Sequence, residues 1–360
     1  MTRRILLAAG IAALAATVLP GGANAQFYKG KTLTMIINYP PGGPTDIEGR
    51  IVALHLPAHI PGKPTIVVKN IGGAGGMIGS NYLGEVAKAD GETFGFFTWN
   101  PVAELLGDAG LRVSYSKFRL IAGVQNPLVF YIRKDTPPGI KAATDIMKTN
   151  GFKVLSLDAL NANTLQGALA LDILGVKYTQ VSGYRGLKDV QTAILQNEGQ
   201  MANTSLPGWR ASIEPTMAKQ GMVMGLWQIA PPNKAGAYVR SPVVPELPTF
   251  EEFYATVHPG KKPSGQSYEA MRAITDTLTA MFRTAFMPPS APQEAVTTMR
   301  TAFVELWKDQ AFLSDYAKAV KSRPVLVTGE DGDEMLGRLS KVTPQLKAYI
   351  GDYAKRQAKK

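Results

Sequence analysis

The sequence predicts an α/β protein of two lobes, each built on a mainly parallel sheet flanked by helices. Three observations lead to this prediction. The chain has 360 residues, of which 45% are apolar, and such a length favours two domains over one. Short, continuous apolar runs alternate with longer helical patterns, which is typical of parallel strands covered on both faces. This alternation occurs twice along the chain.

The first alternation predicts a β-α-β-α-β order. The predicted strands are 31–38, 65–69 and 93–99, and the predicted helices between them are 46–56 and 77–88. Because the carboxyl ends of parallel strands meet at one edge of a sheet, the loops that follow the first two strands are expected at the same edge.

The second alternation begins after residue 125 and is followed by a helical region. Its predicted strands are 128–132, 152–157, 178–182 and 221–227, with helices at 164–174 and 186–198. A Pro-rich stretch extends from Pro231 to Pro263, and helices are predicted at 268–282, 292–307, 312–320 and 331–350. Two lobes in one chain predict a cleft between them, in which a ligand binds.

The N-terminus has the pattern of a secretory signal. Arg3 and Arg4 precede an apolar run over 5–18, and Ala23-x-Ala25 provides a cleavage site after Ala25. The run is too short to span a bilayer. The paired arginines also fit a twin-arginine signal, so the export route stays open. We therefore predict a periplasmic protein whose residues 1–25 are removed.

Composition excludes several classes of function. The chain contains no cysteine, which rules out disulfides, thiol nucleophiles and a lipidated cysteine anchor. Removal of residues 1–25 deletes two arginines and changes the net charge from +11 to +9, since 37 basic residues then face 28 acidic ones. A basic surface attracts anions or simply aids solubility. Because the basic residues are scattered apart from short pairs such as Lys261-Lys262, nucleic-acid binding is not expected.

Two glycine-rich loops follow neighbouring strands of the first lobe. The first is "NYPPGGPTD" (38–46), and the second covers 71–76. Glycines such as Gly42 and Gly43 let backbone N–H groups approach a ligand, and Thr45 or Asp46 is placed to cap the following helix. Helix N-termini attract anions. The loops therefore predict an anion site, although ordinary βα connections remain the alternative.

Patterns for catalysis and for metal binding are missing. Neither loop continues as a nucleotide-binding motif, and no Gly-x-Ser-x-Gly occurs. His55 and His59 have a spacing that suits a metal on a helix, but Pro57 between them ends the helix, and only Glu48 is an acid nearby. We expect no enzyme activity, no cofactor and no metal.

Five segments in this order resemble the solute receptors of tripartite tricarboxylate transporters, the Bug family. The segments are "NYPPGGPTD", "NIGGAGGMIGSNYL" (70–83), "VSGYRG" (181–186), "ELPTFEEF" (246–253) and "PPSAPQEAVTTMRTAF" (288–303). The resemblance covers essentially the whole chain after residue 25. It implies a type II-like periplasmic binding protein that captures a small organic acid for membrane transporter subunits, as a monomer.

The resemblance also implies a set of ligand-binding residues. In such receptors the two loops hold one carboxyl group, partly through water, and the second lobe completes the site. The residues implied here are Tyr39, Gly42, Gly43, Thr45, Asp46, Gly76, Met77, Ser80, Thr98, Asn100, Asn163, Thr164, Tyr184 and Arg185.

Two of these residues have open roles. The Asp46 carboxylate would repel an anion, so it either caps its helix, which we favour, or holds a bridging water. Arg185 either pairs with a second carboxylate or is an exposed turn residue.

The second lobe departs from the family pattern and leaves the ligand open. After the helix ending near 198 the run is Gly199-Gln-Met-Ala202, which lacks the usual acid, and 155–163 lacks the usual glycines. The ligand is expected to be a di- or tricarboxylate or an aromatic carboxylate. Trp99 and Trp209 are candidates for stacking on an aromatic acid, although large aromatics are more often core residues.

These observations predict a domain division and a function. Lobe 1 comprises 26–125 and 232–330, lobe 2 comprises 126–231, and 331–360 form a C-terminal helix. We expect a transport receptor. A ligand sensor coupled to a membrane histidine kinase would have the same sequence features, and a periplasmic enzyme is the third possibility.

Overall fold

Two β-sheets and the helices around them account for the residues that the structure, a computed structural model, describes, namely 27–233 and 235–358. The predicted signal segment 1–25 lies outside these residues. The strands are β1 (Thr32–Ile37), β2 (Thr65–Asn70), β3 (Thr93–Thr98), β4 (Arg119–Gln125), β5 (Leu128–Arg133), β6 (Lys153–Leu155), β7 (Thr179–Val181), β8 (Met201–Ser205), β9 (Val223–Ile229), β10 (Arg283–Met287) and β11 (Val325–Thr328).

The helices alternate with these strands in the first two thirds of the chain and dominate the last third. They are α1 (Pro44–His55), α2 (Met77–Asn81), α3 (Pro101–Leu106), α4 (Ala162–Leu174), α5 (Leu187–Leu195), α6 (Leu206–Gly208), α7 (Phe250–Val257), α8 (Gln266–Leu278), α9 (Gln293–Leu306), α10 (Gln310–Val320), α11 (Gly329–Gly337) and α12 (Pro344–Gln357). Wider π-helical turns extend α2 through Tyr82–Val86 and α6 through Trp209–Ala218.

The first sheet has the strand order β11-β4-β10-β3-β1-β2. β1 pairs in parallel with β2 and with β3, so the β-α-β-α-β unit predicted for the first lobe is present. The carboxyl ends of β1 and β3 therefore lie side by side, and they place the loop before α1 next to Thr98 at the end of β3.

The second sheet has the order β7-β6-β8-β5-β9. β6 pairs in parallel with β7 and β8, whereas β5 pairs antiparallel with β8 and β9. The prediction of two α/β lobes is confirmed. The prediction that each sheet is mainly parallel holds for only part of each sheet. In the first sheet, β10 runs antiparallel to β3 and β4, and β11 runs antiparallel to β4.

Segments without a clear strand pattern supply most of the antiparallel pairings. β4, β8, β10 and β11 were not among the predicted strands. β8 has the sequence MANTS, and β10 follows α8 through only one short 3-10 turn, Thr279–Met281. The helix predicted over 268–282 therefore ends early, and its last residues lead directly into a strand.

The C-terminal region contains two helices where the sequence analysis expects one. α11 ends at Gly337, and α12 begins at Pro344 after the N-cap Thr343, whose side chain accepts the N–H of Leu346 at 3.3 Å. Since proline lacks an N–H and fits the first helical position, it starts a new helix at this point.

Part of the segment assigned to lobe 1 packs on the second sheet. The side-chain amide of Gln228 in β9 donates to the carbonyls of Val244 and Leu247, each at 2.8 Å. The C-terminal helix α12, which lies outside that segment, also contacts the second lobe, because the Tyr353 hydroxyl donates to Asp172 of α4 at 2.6 Å. The segment 232–330 thus does not lie wholly with the first sheet, and the exact lobe boundaries remain a prediction. Across 27–233 and 235–358, no helix combines the length and apolarity that crossing a membrane requires.

A glycine inside α2 fixes how closely the helix approaches β1. A Cβ on Gly79 would lie 2.6 Å from the Ile71 carbonyl oxygen and 2.9 Å from the Cα of Asn38, and neither backbone atom can move aside easily. We predict that Gly79→Ala lowers the free energy of unfolding by about 1–3 kcal/mol because of this overpacking. Urea unfolding followed by circular dichroism measures the change.

The matched control is Gly337→Ala at the end of α11, where a Cβ would meet nothing within 4 Å. In that position alanine should leave stability unchanged or raise it by about 0.5–1 kcal/mol, as expected from helix propensity. Equal effects of the two substitutions would show that Gly79 is not in the close contact described.

Candidate functional site

A narrow cavity lies between the first loop and the N-terminus of α5, at the point where the two sheets meet. The space open to the centre of a water-sized sphere is about 20 Å³, which is room for about one water. An organic acid can therefore enter only if the walls separate. The lining residues are Tyr39, Pro40, Gly43, Pro44, Thr45, Thr98, Leu157, Asn163, Gly186, Leu187, Lys188 and Asp189.

The first loop is fastened by the carboxylate of Asp46. One oxygen of Asp46 accepts the backbone N–H of Gly42 at 2.8 Å and Arg50 Nε at 2.9 Å, and the other accepts Asn70 Nδ2 at 2.9 Å. The Asp46 side chain therefore points back at its own loop and away from the cavity. The Gly42 amide, one of the predicted ligand donors, is used by this bond.

Neither Thr45 nor Asp46 is the N-cap residue. α1 begins at Pro44, and its N-cap is Gly43, which offers no side-chain cap. The prediction that Thr45 or Asp46 caps the helix is therefore wrong. Because Pro44 starts the helix, the N-cap lies two residues before Thr45 and three before Asp46.

The pKa of Asp46 is held below its ordinary value. Burial acts against ionisation and is the largest single influence, but the hydrogen bonds from Arg50, Gly42 and Asn70 together outweigh it. The ionised carboxylate therefore stabilises the loop at neutral pH.

The N-terminus of α1 presents amides to the cavity. The first hydrogen bond of the helix runs from the Ile47 N–H to the Gly43 carbonyl at 3.0 Å. The N–H groups of Gly43, Thr45 and Asp46 lie ahead of it and have no acceptor within the helix. Gly43 and Thr45 line the cavity, so an anion in this space would lie beside the N-terminus of α1.

The opposite wall is a second helix N-terminus of the same kind. α5 has Gly186 as its N-cap, again without a side-chain cap, and its first bonds run from Asp189 and Val190 to the Gly186 carbonyl. The amides of Leu187 and Lys188 precede these bonds. The site residues predicted for this segment were Tyr184 and Arg185; the glycine directly before a helical pattern was the available signal for Leu187 and Lys188.

The second glycine-rich loop packs against the first loop. The Tyr39 hydroxyl donates to the Gly75 carbonyl at 2.9 Å. A Cβ on Gly72 would lie 2.9 Å from Pro40 Cδ, and one on Gly76 would lie 2.5 Å from Asn38 Nδ2. Gly76 also has a φ of +92°, which favours glycine. The glycines of this loop thus make room for the first loop, and none of them lines the cavity.

The remaining residues expected in the first lobe have different environments. Thr98 lines the cavity, and its hydroxyl lies 2.9 Å from that of Thr45. Met77 and Ser80 are buried, and the Ser80 hydroxyl donates to the Gly76 carbonyl at 3.1 Å. Asn100 caps α3 and reaches towards the Leu160 carbonyl of the second lobe at 3.5 Å. Met77, Ser80 and Asn100 do not line the cavity.

The expected residues of the second lobe separate into two groups. Asn163 lines the cavity, and Thr164 beside it is buried with its hydroxyl unpaired among the described residues. α4 begins two residues before Thr164, since Asn161 is the N-cap and accepts the Asn163 N–H at 3.0 Å. Tyr184 instead donates to Glu198 at 2.8 Å and Arg185 is exposed; neither lines the cavity.

A buried ion pair that the sequence analysis missed lies behind Thr98. Arg283 Nε and Glu48 Oε2 are 2.6 Å apart, and each side chain is 1% exposed. Arg283 also donates to the Thr98 hydroxyl at 2.6 Å and to the Ser205 hydroxyl at 3.1 Å. Thr98 ends a strand of the first sheet and Ser205 a strand of the second, so this arginine joins the two sheets beneath the cavity.

The tryptophans and histidines considered above lie elsewhere. Trp99 packs edge-on against Tyr115, and Trp209 packs against Tyr131; both are core residues. His55 contacts Asp315 of α10 at 3.1 Å, and His59 contacts Asp309, the N-cap of α10, at 2.9 Å. Among the described residues, no cluster of three or more His, Asp or Glu side chains could hold a metal ion.

Comparison with known sequences finds two curated relatives, while no family model matches the chain. The chain is 38% identical over 93 residues to the protein BugT of Bordetella pertussis (strain Tohama I), which is 26% of this chain and 27% of BugT. It is 26% identical over 268 residues to the UPF0065 protein in the tcbD-tcbE intergenic region of Pseudomonas sp. (strain P51), covering 69% of this chain and 70% of that protein. The match to BugT thus spans only about a quarter of BugT.

Several solved structures, including that of a periplasmic binding protein, share the fold. The periplasmic binding protein BugD matches with a TM-score of 0.66 at 19% identity, over 91% of this chain and 98% of that one. MatC from Rhodopseudomonas palustris with bound malate matches with 0.63 at 18% identity, over 90% and 99%. An R. palustris protein with adipate matches with 0.68 at 17% identity, over 89% and 98%. At these identities the matches show the fold, and they confirm the two-lobed fold class.

Loss of the Asp46 carboxylate should destabilise the protein in a pH-dependent way. We predict that Asp46→Ala lowers the free energy of unfolding by about 2 kcal/mol at pH 7, since hydrogen bonds to a charged group are lost. A carboxyl whose pKa is depressed on folding contributes stability above its unfolded pKa of about 3.9, and the contribution disappears as the pH falls through the folded pKa. The difference in unfolding free energy between wild type and Asp46→Ala should therefore become smaller below about pH 4.

Urea unfolding at pH 7 and pH 3 measures the difference in unfolding free energy between wild type and Asp46→Ala at each pH. Asp352→Ala is the control, because the Asp352 side chain is 66% exposed and lies 3.6 Å from Lys355; little change is expected at either pH. A gap for Asp46→Ala that is equally large at both pH values would contradict the role of its charge.

The buried ion pair should show strong coupling in a double-mutant cycle. Arg283→Met leaves the Glu48 carboxylate buried without its cation, which typically costs about 3–5 kcal/mol. Adding Glu48→Gln removes the uncompensated charge, so the double variant should be more stable than the sum of the two single effects predicts. Urea denaturation of the four proteins measures the coupling, and additive effects would show that the pair does not act as a unit.

Proposed function

We propose that this chain, a Bug/TctC-like protein, captures a small organic anion in the periplasm and delivers it to the membrane subunits of a tripartite tricarboxylate-type transporter. The observation that carries the proposal is the cavity between two glycine-capped helix N-termini, α1 and α5. In this account the protein works as a monomer, and residues 1–25 are removed during export.

Charge and hydrogen bonding at the cavity favour an anion. Each helix N-terminus carries a partial positive charge and free amide donors. Because no side chain caps either helix, a ligand oxygen can occupy the place that an N-cap side chain normally takes. The Thr45 and Thr98 hydroxyls and the Asn163 amide provide neutral polar groups beside these amides.

The comparisons support an aliphatic carboxylate. Among proteins of the same fold, one has bound malate and another adipate. The tryptophans that would stack on an aromatic acid are in the core of this chain. We therefore favour di- or tricarboxylates over aromatic acids as ligands.

Binding without chemical conversion agrees with the side chains that line the cavity. The lining residues include no histidine and no cysteine, and the Thr98 hydroxyl is already engaged by Arg283 at 2.6 Å. A nucleophile needs a base within hydrogen-bonding distance, and the lining residues do not offer such a pair. BugD, which shares the fold, is a periplasmic binding protein.

The predicted site residues divide into contacts and supports under this proposal. Gly43, Thr45, Thr98 and Asn163 would contact the ligand, with Tyr39 closing one side. Asp46, Gly76, Met77, Ser80 and Asn100 would hold the walls in place. The narrow cavity then corresponds to lobes that close on the ligand by a hinge movement.

An acidic residue at the N-cap of α1 should abolish binding. Gly43→Asp places a carboxylate where the ligand's carboxylate would lie, and the change is tolerated because a Cβ there meets only the Pro40 carbonyl, at 3.6 Å. Aspartate and asparagine cap helices about equally well. We predict that Gly43→Asp loses organic-acid binding by at least about 100-fold, whereas its thermal stability stays close to wild type.

Isothermal titration with malate, succinate, adipate and citrate measures the affinities. Gly43→Asn is the matched neutral control and should bind more tightly than Gly43→Asp, because it lacks the repelling charge. Equal affinities of the two variants, or no heat with any organic acid for wild type, would contradict the proposed anion site.

A further inference from the structure

We propose that Lys188 binds the second carboxylate of the ligand and thereby makes the protein selective for dicarboxylates. This inference rests on the proposed function and specifies the class of its ligand. Lys188 is at the first turn of α5 in the second lobe, on the wall opposite α1. Its side chain carries the only positive charge among the residues that line the cavity.

The end of the Lys188 side chain lies against Gly42 of the first loop. A Cβ on Gly42 would lie 3.0 Å from Lys188 Nζ, 3.6 Å from its Cδ and 3.7 Å from its Cε. The lysine methylenes therefore run along the Gly42 backbone, and a larger residue at 42 would displace them. Gly42 has a φ of +75°, so glycine serves both the turn and the space for the lysine.

The ammonium group of Lys188 has no counter-ion among the residues that the structure describes. Within the described part of the chain, its Nζ makes no hydrogen bond or ion pair, although the backbone carbonyl of Lys188 accepts from Thr192 at 3.1 Å. Asp189 also lines the cavity, but adjacent residues of a helix do not face one another. Arg283, the other cation nearby, is paired with Glu48. A ligand carboxylate is thus the available partner for Lys188.

The arrangement assigns one carboxylate to each wall. The first would lie at the amides of α1, beside Thr45 and Thr98, and the second would meet the Lys188 ammonium beside the amides of α5. A charge-assisted hydrogen bond is about twice as strong as a neutral one. A monocarboxylate fills only one of the two positions and should therefore bind more weakly.

The test compares matched ligands on the full mature protein. Isothermal titration with succinate, malate and adipate is set beside butyrate and hexanoate, which lack the second carboxylate. We expect Lys188→Met to weaken dicarboxylate binding roughly 10- to 100-fold and to leave monocarboxylate binding unchanged. Because Lys188 is exposed, the variant should melt at the wild-type temperature.

Charge reversal gives a second readout that a structural role would not produce. Lys188→Glu should prefer 4-aminobutyrate and 6-aminohexanoate, in which an ammonium group replaces one carboxylate, over succinate and adipate. Lys177→Met is the control and should bind dicarboxylates as tightly as wild type, since Lys177 is an exposed lysine of the same lobe that does not line the cavity.

The outcomes separate this inference from the proposed function. If wild type binds dicarboxylates and Lys188→Met binds them equally well, the role of Lys188 is wrong and the anion site stands. If Lys188→Met loses monocarboxylate and dicarboxylate binding equally, the proposal that Lys188 selects dicarboxylates is also wrong. If wild type binds no organic acid, both proposals fail.

Discussion

The ion pair between Arg283 and Glu48 is the constraint on which the site depends. Two charges that are 1% exposed require extensive pairing, because removing ions from water costs several kcal/mol each. The surroundings supply it: Glu48 also accepts Asn126 Nδ2 at 3.1 Å and the Tyr316 hydroxyl at 2.5 Å. Burial and the Glu48 carboxylate raise the pKa of Tyr316 well above its ordinary value, so the hydroxyl stays protonated and donates. The network holds Thr98 and Ser205, and hence the ends of both sheets, at fixed positions under the cavity.

The N-termini of α1 and α5, which lie on either side of the cavity, differ in how they are supported. The α1 side is rigid: Asp46 fastens Gly42, and Tyr39 bonds to Gly75 of the second loop. The α5 side has one cationic side chain, Lys188, that reaches across to the first loop. A fixed wall of backbone donors recognises any carboxylate, whereas a side chain on the other wall can distinguish one acid from another. The glycines of both loops serve these contacts by leaving room for a neighbour.

The sequence allowed the regular part of the fold to be predicted, and the irregular part could not be. Apolar runs such as 32–37 and 93–98 identify buried strands because most of their residues are covered. β8, with the sequence MANTS, and β10, which follows α8 through one short turn, lack such a signal. Their strand conformation depends on pairing with β5 and β6, and with β3 and β4.

The same distinction applies to the site. Gly43 and Thr45 were predicted because a glycine-rich loop before a helix has a local physical meaning. Arg283 and Glu48 were missed because their partnership depends on how distant segments meet. Leu187 and Lys188 were missed because the resemblance drew attention to Tyr184 and Arg185, which do not line the cavity.

A crystal structure of the protein with succinate or malate tests the central claim most directly. The account predicts one ligand carboxylate within about 3 Å of the Gly43, Thr45 or Asp46 amides and the other near the N-terminus of α5. A ligand bound away from both N-termini, or one whose carboxylates contact only side chains outside the cavity, would contradict it.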